Sequence, residues 1–266
     1  MQETLRGIVL RTVKYGDNAL IVDLFTESRG RQSFMTSTMR AKRSVRSVSF
    51  WQPLSMVEFS AELKPNAGKL PRPTDVRTYY NYMDLPFSPI KSTLALFLAE
   101  FLSAALREEK ENQPLYRYIE SSLQWLDMVE SSAAIANFHL AFLMHLSRFM
   151  GIYPNLEVND NLNLNPNPNP NPNPNSKPST LNSQPYFDLL AGTYCDRQPS
   201  HAHFLKNQEA QALPILFRMD YPNLHLFRFS RKDRVRILQV LNEYYRLHVP
   251  NFPELKSLEV LQELYS

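Results

Sequence analysis

The spacing of apolar residues changes once along this chain, at about residue 88, and this change constrains the fold more than any other feature. Before it, short runs rich in β-branched and aromatic residues are separated by turn sequences such as Tyr-Gly-Asp-Asn at 15–18. After it, apolar residues recur at the spacing that is typical of helices. The sequence therefore predicts an α+β protein, with a β domain over residues 1–83 and an all-α domain over residues 84–266.

Five strands are expected in the first domain. Their runs cover residues 7–15, 19–26, 31–38, 53–63 and 73–83. Five short strands joined by polar turns suit a small closed barrel such as the OB-fold. An SH3-like barrel or a fragment of a sandwich is the alternative.

The second domain is expected to be a helical bundle. Its helices are predicted over residues 90–109, 115–129, 133–150, 208–219, 231–249 and 253–264, with Ser230 capping the fifth and the third at the centre. Residues 159–183 contain a run of Asn-Pro repeats. Proline blocks helix formation and asparagine buries little apolar surface, so this segment is expected to be a disordered surface insertion.

Positive charge is concentrated near the N-terminus. The first 80 residues carry 13 Lys or Arg and 7 Asp or Glu, a net charge of +6, although the whole chain has a net charge of only +3. This distribution favours a polyanion such as nucleic acid as the partner of the first domain. A basic face that binds nothing is the alternative.

The densest basic cluster follows the third predicted strand, at residues 40–46. Lysine and arginine bind phosphates with release of counterions, and aromatic rings can stack on bases. Phe34, Phe50 and Trp51 are close by in sequence, although aromatic residues on strands more often belong to the core. The predicted DNA-binding residues are Arg11, Lys14, Arg29, Arg31, Arg40, Lys42, Arg43 and Arg46.

No pattern of an enzyme or of a cofactor site stands out. The chain has six glycines and no glycine-rich phosphate loop, and it contains neither GxSxG nor HExxH. Cys195, His201 and His203 could form part of a zinc site, but their spacing matches no common zinc finger. We therefore expect a protein without catalytic activity, cofactor or metal.

The sequence also favours a cytoplasmic protein that does not contact a membrane. Its first 16 residues lack the apolar stretch of a signal peptide. The most apolar segment, 94–106, contains Glu100 and is shorter than the roughly 20 residues that span a bilayer. The single cysteine allows no internal disulfide, which favours a reducing compartment.

Several motifs, taken in order, resemble the RecO family of bacterial DNA repair and recombination mediators. They are Gly-Ile-Val-Leu at 7–10, Thr-Glu-Ser-Arg-Gly at 26–30, the basic segment 40–46, Gln-Pro-Leu at 52–54, Gly-Ile-Tyr-Pro-Asn at 151–155, and the segments 244–248 and 255–261 near the C-terminus. The resemblance extends over the chain apart from the Asn-Pro insertion. It implies an N-terminal OB-fold, a C-terminal helical domain and binding of single- and double-stranded DNA.

The resemblance also implies partners. It implies annealing of complementary strands and, with RecR and the C-terminal tail of single-stranded-DNA-binding protein, loading of the RecA recombinase. Many members carry a four-cysteine zinc site after the position of residues 151–155, where this chain has the insertion and retains only Cys195. The zinc site is therefore expected to be lost, and Tyr186, Phe187 and Leu189 are expected to hold this region by packing.

The helix after Ser230 is a candidate site for the partner tail. A tail that ends in acidic residues, a phenylalanine and a free carboxylate requires an apolar pocket edged by cations. The candidate residues are Arg231, Lys232, Arg234, Val235 and Leu238. An ordinary amphipathic helix with basic side chains lying along apolar surface is the alternative here. For the whole protein, the alternative is an adaptor whose basic barrel binds an acidic protein instead of DNA.

Overall fold

The computed structural model describes residues 2–37, 49–63, 69–156, 186–206 and 208–264. Two predicted segments lie outside the described residues. These are the basic cluster with Arg40, Lys42, Arg43 and Arg46, and the insertion at 159–183.

The N-terminal part is a five-stranded antiparallel sheet. Its strands are β1 (Gln2–Tyr15), β2 (Ala19–Thr26), β3 (Gly30–Ser37), β4 (Met56–Glu62) and β5 (Thr74–Tyr80), in the order β3-β2-β1-β4-β5. The backbone N–H of Met35 in β3 donates to the carbonyl of Pro71, just before β5, at 2.9 Å. This bond joins the two edges of the sheet, and the predicted OB-type barrel is confirmed.

Alternate residues of the strands fill the barrel. Val9, Leu24 and Phe34 are buried there with Phe59, and the rings of Phe34 and Phe59 meet edge to face at 4.9 Å. Trp51, in a short helical turn at Ser49–Trp51, belongs to the same core. Because Phe34 and Trp51 are buried, neither ring is available to stack on a base.

The other face of the same strands packs against the helices. Ile8, Leu10 and Phe25 are buried in a core that also contains Phe97 and Tyr116 of the helical region. The rings of Phe25 and Tyr116 lie 6.0 Å apart. Since both faces of β1 are buried, the barrel and the helices are joined by a continuous apolar core.

Six α-helices form most of the second part. They are α1 (Pro89–Ala105), α2 (Gln113–Met128), α3 (Ser132–Phe149), α4 (Gln208–Phe217), α5 (Arg231–His248) and α6 (Lys256–Leu264). α3 packs against α1, α2, α4 and α5, as its largely apolar circumference predicts. No helix in the described parts of the chain is both long and apolar enough to cross a membrane.

Local sequence explains where several helices begin. Asn112 caps α2 by accepting from the N–H of Leu115 at 3.1 Å. Ser230 accepts from the N–H of Asp233, whose carboxylate accepts from the N–H of Ser230 in return. This reciprocal capping box confirms the predicted start of α5.

The helical region also contains a small sheet that the sequence did not predict. Its strands are β6 (Tyr186–Asp188), β7 (Thr193–Cys195) and β8 (Phe204–Leu205), in the order β7-β6-β8. Strands of two or three residues are too short to show an alternating pattern. Phe187 and Leu189 are buried in the core, as expected, and Tyr186 is half-buried against the ring of Phe204.

The segment that connects the barrel to the helices is bound by the carboxylate of Asp127. Asp127, at the end of α2, accepts hydrogen bonds from the backbone N–H groups of residues 83–85 at 2.7–3.1 Å. It also accepts from the hydroxyl of Tyr80 at 3.0 Å. Lys91, only 2% exposed, donates to the carbonyl of Asp127 at 2.7 Å. The predicted domain boundary between residues 83 and 84 falls in this segment and stays a prediction.

Candidate nucleic-acid interface

Arg29 and Arg31 flank the turn between β2 and β3, which is docked onto the helical region. Gly30 has φ +64°, and a Cβ atom there would lie 2.4 Å from the carbonyl carbon of Lys110. The N–H of Arg31 donates to the carbonyl of Glu109 at 3.1 Å. The hydroxyl of Thr26 donates to the carbonyl of Gly30 at 2.7 Å. The Thr-Glu-Ser-Arg-Gly motif therefore shapes a turn that fits against the α1–α2 connection.

The side chain of Arg31 is used inside the fold. It is 13% exposed, and it donates to the carbonyl of Ser103 in α1 at 2.6 Å and to Asp23 at 2.9 Å. Arg11 donates to the same Asp23 oxygen at 3.0 Å, and its side chain is 58% exposed. Burial raises the pKa of Asp23, but hydrogen bonds from Ser33 and Arg31 and the arginine charges outweigh burial and lower it overall. The ionised Asp23 thus pairs with both arginines, and its single negative charge offsets one of their two positive charges.

Three more arginines of the barrel also have carboxylate partners. Arg29 forms a bidentate pair with Glu3, with Nη2 2.7 Å from Oε1 and Nε 3.1 Å from Oε2. Arg6 and Arg77 both donate hydrogen bonds to the carboxylate of Glu58. These two hydrogen bonds lower the pKa of Glu58, and the bond from Arg77 has the larger effect. A phosphate that bound any of these arginines would have to compete with a carboxylate that is already in place.

Three other basic residues of the barrel differ. Lys14, Lys69 and Arg72 are exposed, and none of them forms an ion pair with another described residue. Lys14 was predicted as a DNA-binding residue, whereas Lys69 and Arg72 were not. Arg72 stands between two prolines just before β5 in an expected barrel, and this position is the signal that could have identified it.

Arg72 and Lys69 line two adjoining clefts at one end of the barrel, and Lys14 lines neither but directly precedes Tyr15 of the larger one. The larger, about 790 Å³, is lined by the β1–β2 turn, the end of β3 and the segment before β5. The smaller, about 390 Å³, shares Arg72 and Thr74 with it and reaches Lys69. Ser37, the last residue of β3, lines the larger cleft and donates to the carbonyl of Asn18 at 3.2 Å. The basic segment 40–46 follows Ser37 in the sequence.

The five residues predicted for the partner tail do not share one surface. Arg231 and Lys232 are exposed on the first turn of α5, whereas Leu238 is fully buried in the core. Arg234 donates to the carbonyl of Phe229 at 2.7 Å, and Val235 is half-buried. Some of these side chains therefore face solvent, one binds the backbone just before α5, and one lies in the core.

An apolar groove lies on a different side of α5, against α4. It has a volume of about 290 Å³ and is lined mainly by leucine, isoleucine, valine and phenylalanine. Leu213 and Leu216 come from α4, and Ile237 and Val240 from α5. At its rim, Arg236 pairs with Glu209, with Nε 2.5 Å from Oε1. The charged groups of the lining are thus Arg236 and two carboxylates, those of Glu209 and of Asp233, which belongs to the capping box of α5. The groove offers the apolar walls and one of the cations that the tail requires.

The region expected to have lost a zinc site contains two histidine–carboxylate pairs. His201 Nε2 lies 3.2 Å from Asp188 Oδ2, and His203 Nδ1 lies 2.7 Å from Glu243 Oε1. Cys195 is half-buried, and burial raises the pKa of its thiol. In the ranges that the structure describes, no group of three or more His, Cys, Asp or Glu is placed to hold a metal. A four-cysteine zinc site does not fit this chain, which has one cysteine.

Comparison with known proteins assigns both parts of the chain. Residues 1–80 match the family model described as Recombination protein O N terminal, and residues 86–259 match Recombination protein O C terminal. A protein of Phocaeicola vulgatus named DNA repair protein RecO is 43% identical over 266 residues, covering 100% of both chains. Proteins with the same name are 43% identical in Bacteroides fragilis, over 100% of this chain and 99% of that one, and 33% identical in Azobacteroides pseudotrichonymphae, over 98% of each.

Proposed function

This chain belongs to the RecO family of DNA repair proteins, and on that basis we propose that it is a recombination mediator with no catalytic activity of its own. In this role it binds single- and double-stranded DNA and anneals complementary strands. It also helps to load the recombinase onto single-stranded DNA that is coated by single-stranded-DNA-binding protein. RecR is its proposed partner, the cytoplasm its place of action, and no cofactor takes part.

One observation carries the DNA-binding proposal. Of the described basic residues of the barrel that lack a carboxylate partner, Lys69 and Arg72 line the clefts and Lys14 is next to Tyr15 of the larger cleft, at the end where β3 leads into the basic segment 40–46. Unpaired cations release counterions to solution when they bind phosphate, and this release supplies most of non-specific DNA affinity. We therefore assign DNA binding to Lys14, Lys69, Arg72, Arg40, Lys42, Arg43 and Arg46.

The remaining predicted residues contribute less in this proposal. Arg29 and Arg31 belong to the turn that docks on the helices, and Arg31 is nearly buried. Arg11 is exposed but shares Asp23 with Arg31. Glu3 and Asp23 offset two of their three positive charges, so together they add less to the field that a phosphate meets than three unpaired cations would.

Annealing follows from the same kind of surface. Two DNA strands repel each other through their phosphates, so a protein that binds both backbones by charge brings them together. Contacts to phosphate carry no sequence information and leave base edges open for pairing. A basic end of an OB-type barrel can therefore serve any pair of complementary strands.

The first experiment is fluorescence anisotropy with a labelled single-stranded oligonucleotide across a salt series. If about four to six phosphates are contacted, log K is expected to fall against log salt with a slope near −3 to −4. Arg40→Glu/Arg43→Glu/Arg46→Glu is expected to abolish binding while circular dichroism shows an unchanged fold.

A matched control reverses three exposed arginines of the helical region, as Arg117→Glu/Arg197→Glu/Arg228→Glu. It changes the net charge by the same amount and is expected to retain most of the affinity. If the wild-type chain does not bind DNA even at low salt, the proposal fails, and the barrel is better explained as the acidic-protein adaptor. If both triple variants lose affinity equally, net charge rather than the assigned segment is responsible.

For the partner tail, we propose the groove between α4 and α5. The phenylalanine of the tail would enter between Leu213 and Ile237, and its carboxylates would meet Arg236 in the groove lining. Lys232, outside the lining, would supply a second cation. Lys232 precedes Arg236 by four residues, so both lie on the same side of α5. The acidic groups of the tail would compete with Glu209 for Arg236.

A labelled peptide with acidic residues, a phenylalanine and a free C-terminal carboxylate tests this site. Lys232→Glu/Arg236→Glu is expected to weaken its binding at least tenfold, and amidation of the peptide is expected to weaken it as well. Arg231→Glu, at a predicted residue outside the groove lining, is the control. Equal affinity for the double variant and the wild type would place the tail elsewhere.

A further inference from the structure

We propose that the larger cleft selects single-stranded over double-stranded DNA, with the Tyr15 ring stacked on an unpaired base and Arg72 on the adjacent phosphate. This inference rests on the proposed DNA binding and adds to it a discrimination between DNA forms. The basic segment would bind phosphates of either form, whereas a stacking residue requires a base that is free of its own stack.

Tyr15 is the exposed aromatic residue of the cleft. It ends β1 and is 57% exposed at the β1–β2 turn. The partly buried tyrosines Tyr79 and Tyr221 donate or accept side-chain hydrogen bonds, with Tyr116 and Ser122 respectively. The side chain of Tyr15 makes no hydrogen bond, ring contact or cation–π contact with another described residue. Its ring is therefore exposed, and no contact with another described residue occupies it.

The turn beside Tyr15 leaves room for a base. The next residue, Gly16, has φ +65°, and no atom of a described residue lies within 4 Å of the position that a Cβ would take. The cleft volume of about 790 Å³ lies in the range of about 300–1,000 Å³ that is usual for small-ligand sites. One nucleotide, with its base toward the turn, belongs to this class of ligand.

Arg72 is held where a phosphate would follow that base. It lies between Pro71 and Pro73, whose rings restrict the backbone. The carbonyl of Pro71 accepts from Met35 at 2.9 Å, which anchors the segment to β3. Arg72 lines both clefts, and among described residues it forms no ion pair. Its guanidinium therefore starts from a restrained backbone and can bind a phosphate without giving up a carboxylate.

Tyr15 lies at the β1–β2 turn and Arg72 on the segment before β5, so the larger cleft offers an aromatic ring and a cation from two different elements. The cleft thus suits a nucleotide whose base lies at the turn and whose phosphate lies at Arg72. In a duplex, the same base could reach Tyr15 only after unstacking, which costs a few kcal/mol.

Anisotropy with a thymidine oligonucleotide and with a hairpin duplex of equal charge tests the proposal. Tyr15→Ala is expected to lower single-strand affinity about 5- to 150-fold, the range of one base–aromatic stack. Duplex affinity is expected to change less than twofold, and Tyr15→Phe is expected to retain single-strand binding. Val13→Ala, at an exposed residue of the same strand, is the matched control.

A second variant and a crosslink give independent readouts. Arg72→Ala is expected to reduce the salt slope for single strands by about 0.7, the contribution of one phosphate. Photo-crosslinking of an oligonucleotide that carries 5-iodouracil is expected to label Tyr15. If the wild type binds DNA and Tyr15→Ala binds both forms as the wild type does, this inference fails alone. If the wild type binds neither form, the proposed function fails with it.

Discussion

The first two turns of the barrel each contain a glycine with nearly the same backbone conformation, but one turn is open and the other is docked against the helices. Gly16 in the β1–β2 turn has φ +65°, and Gly30 after the β2–β3 turn has φ +64°. Among the residues that the structure describes, a Cβ at Gly16 would meet no atom within 4 Å, whereas a Cβ at Gly30 would lie 2.4 Å from the backbone of Lys110. Both glycines permit a left-handed backbone, but only Gly30 also permits close contact between two parts of the chain.

The charged residues follow the same division. Arg29 and Arg31, at the docked turn, have carboxylate partners, whereas Lys14 and Arg72, at the open end, have none among the described residues. Charges that stabilise the fold and charges that are left for a ligand are thus separated in space. The comparison indicates that a basic N-terminal sequence contains two kinds of arginine, which charge counting does not distinguish.

The largest expected effect concerns the two glycines. Gly30→Ala is expected to lower the free energy of unfolding by more than about 3 kcal/mol, because it combines a strained backbone with overlap against a peptide group. Gly16→Ala is expected to cost only about 1–2 kcal/mol, the price of the left-handed backbone alone. Urea denaturation of both variants measures the difference. Equal losses would show that the β2–β3 turn is not tightly docked.

A smaller effect is expected at the carboxylate that joins β1, β2 and β3. Asp23→Asn removes the charge that compensates Arg31, which is 13% exposed, and is expected to lower the free energy of unfolding by about 2–3 kcal/mol. Breaking a fully buried ion pair typically costs about 3–5 kcal/mol. The expected loss is smaller here because Arg11, the other partner of Asp23, is exposed to solvent. Urea denaturation at pH 7 provides the measurement, with Asp75→Asn at an exposed residue of β5 as the control.

The same variant has a pH signature. Because the pKa of Asp23 is lowered in the folded state, its contribution is present above the unfolded pKa of about 3.9 and is lost as pH falls through the folded value. The stability difference between wild type and Asp23→Asn is therefore expected to shrink below about pH 4. A difference that stays constant down to pH 2 would contradict the paired, ionised state of Asp23.

The smallest expected effect is at Arg29. Its pair with Glu3 is bidentate, but the Arg29 side chain is half exposed, and such pairs contribute less than about 1 kcal/mol. Arg29→Ala is accordingly expected to change the free energy of unfolding by less than about 1 kcal/mol. It is expected to change DNA affinity by less than about twofold. Arg72→Ala at the open end is the comparison. A larger loss of DNA affinity for Arg29→Ala than for Arg72→Ala would contradict the proposal that the open end, and not the docked turn, binds DNA.

Much of the fold could be predicted from local sequence, because the signals are local. Alternation in 53–63 marks β4, and the Ser230 cap marks the start of α5. The barrel was expected from five runs separated by turns. The β6–β8 sheet was not, because its strands have two or three residues and are defined by pairing across the chain.

The candidate site was less accessible to sequence reasoning. Arg29 and Arg31 stand beside a basic segment in sequence, but their partners are 26 residues away at Glu3 and 72 residues away at Ser103. Only the tertiary fold reveals which cations already have a partner. Arg72 lies outside the basic cluster, and its importance depends on the barrel closure that places it beside the β1–β2 turn.

The core shared by β1, β2 and α1 couples the barrel to the helices. A chain cut after residue 83 would leave Ile8, Leu10 and Phe25 facing water, so an isolated barrel would lose its covered face and be prone to self-association. In the intact chain, a ligand bound at the barrel is therefore expected to stabilise the helices packed on it as well. A rise in the melting temperature of the helical region would then report that a site on the barrel is occupied.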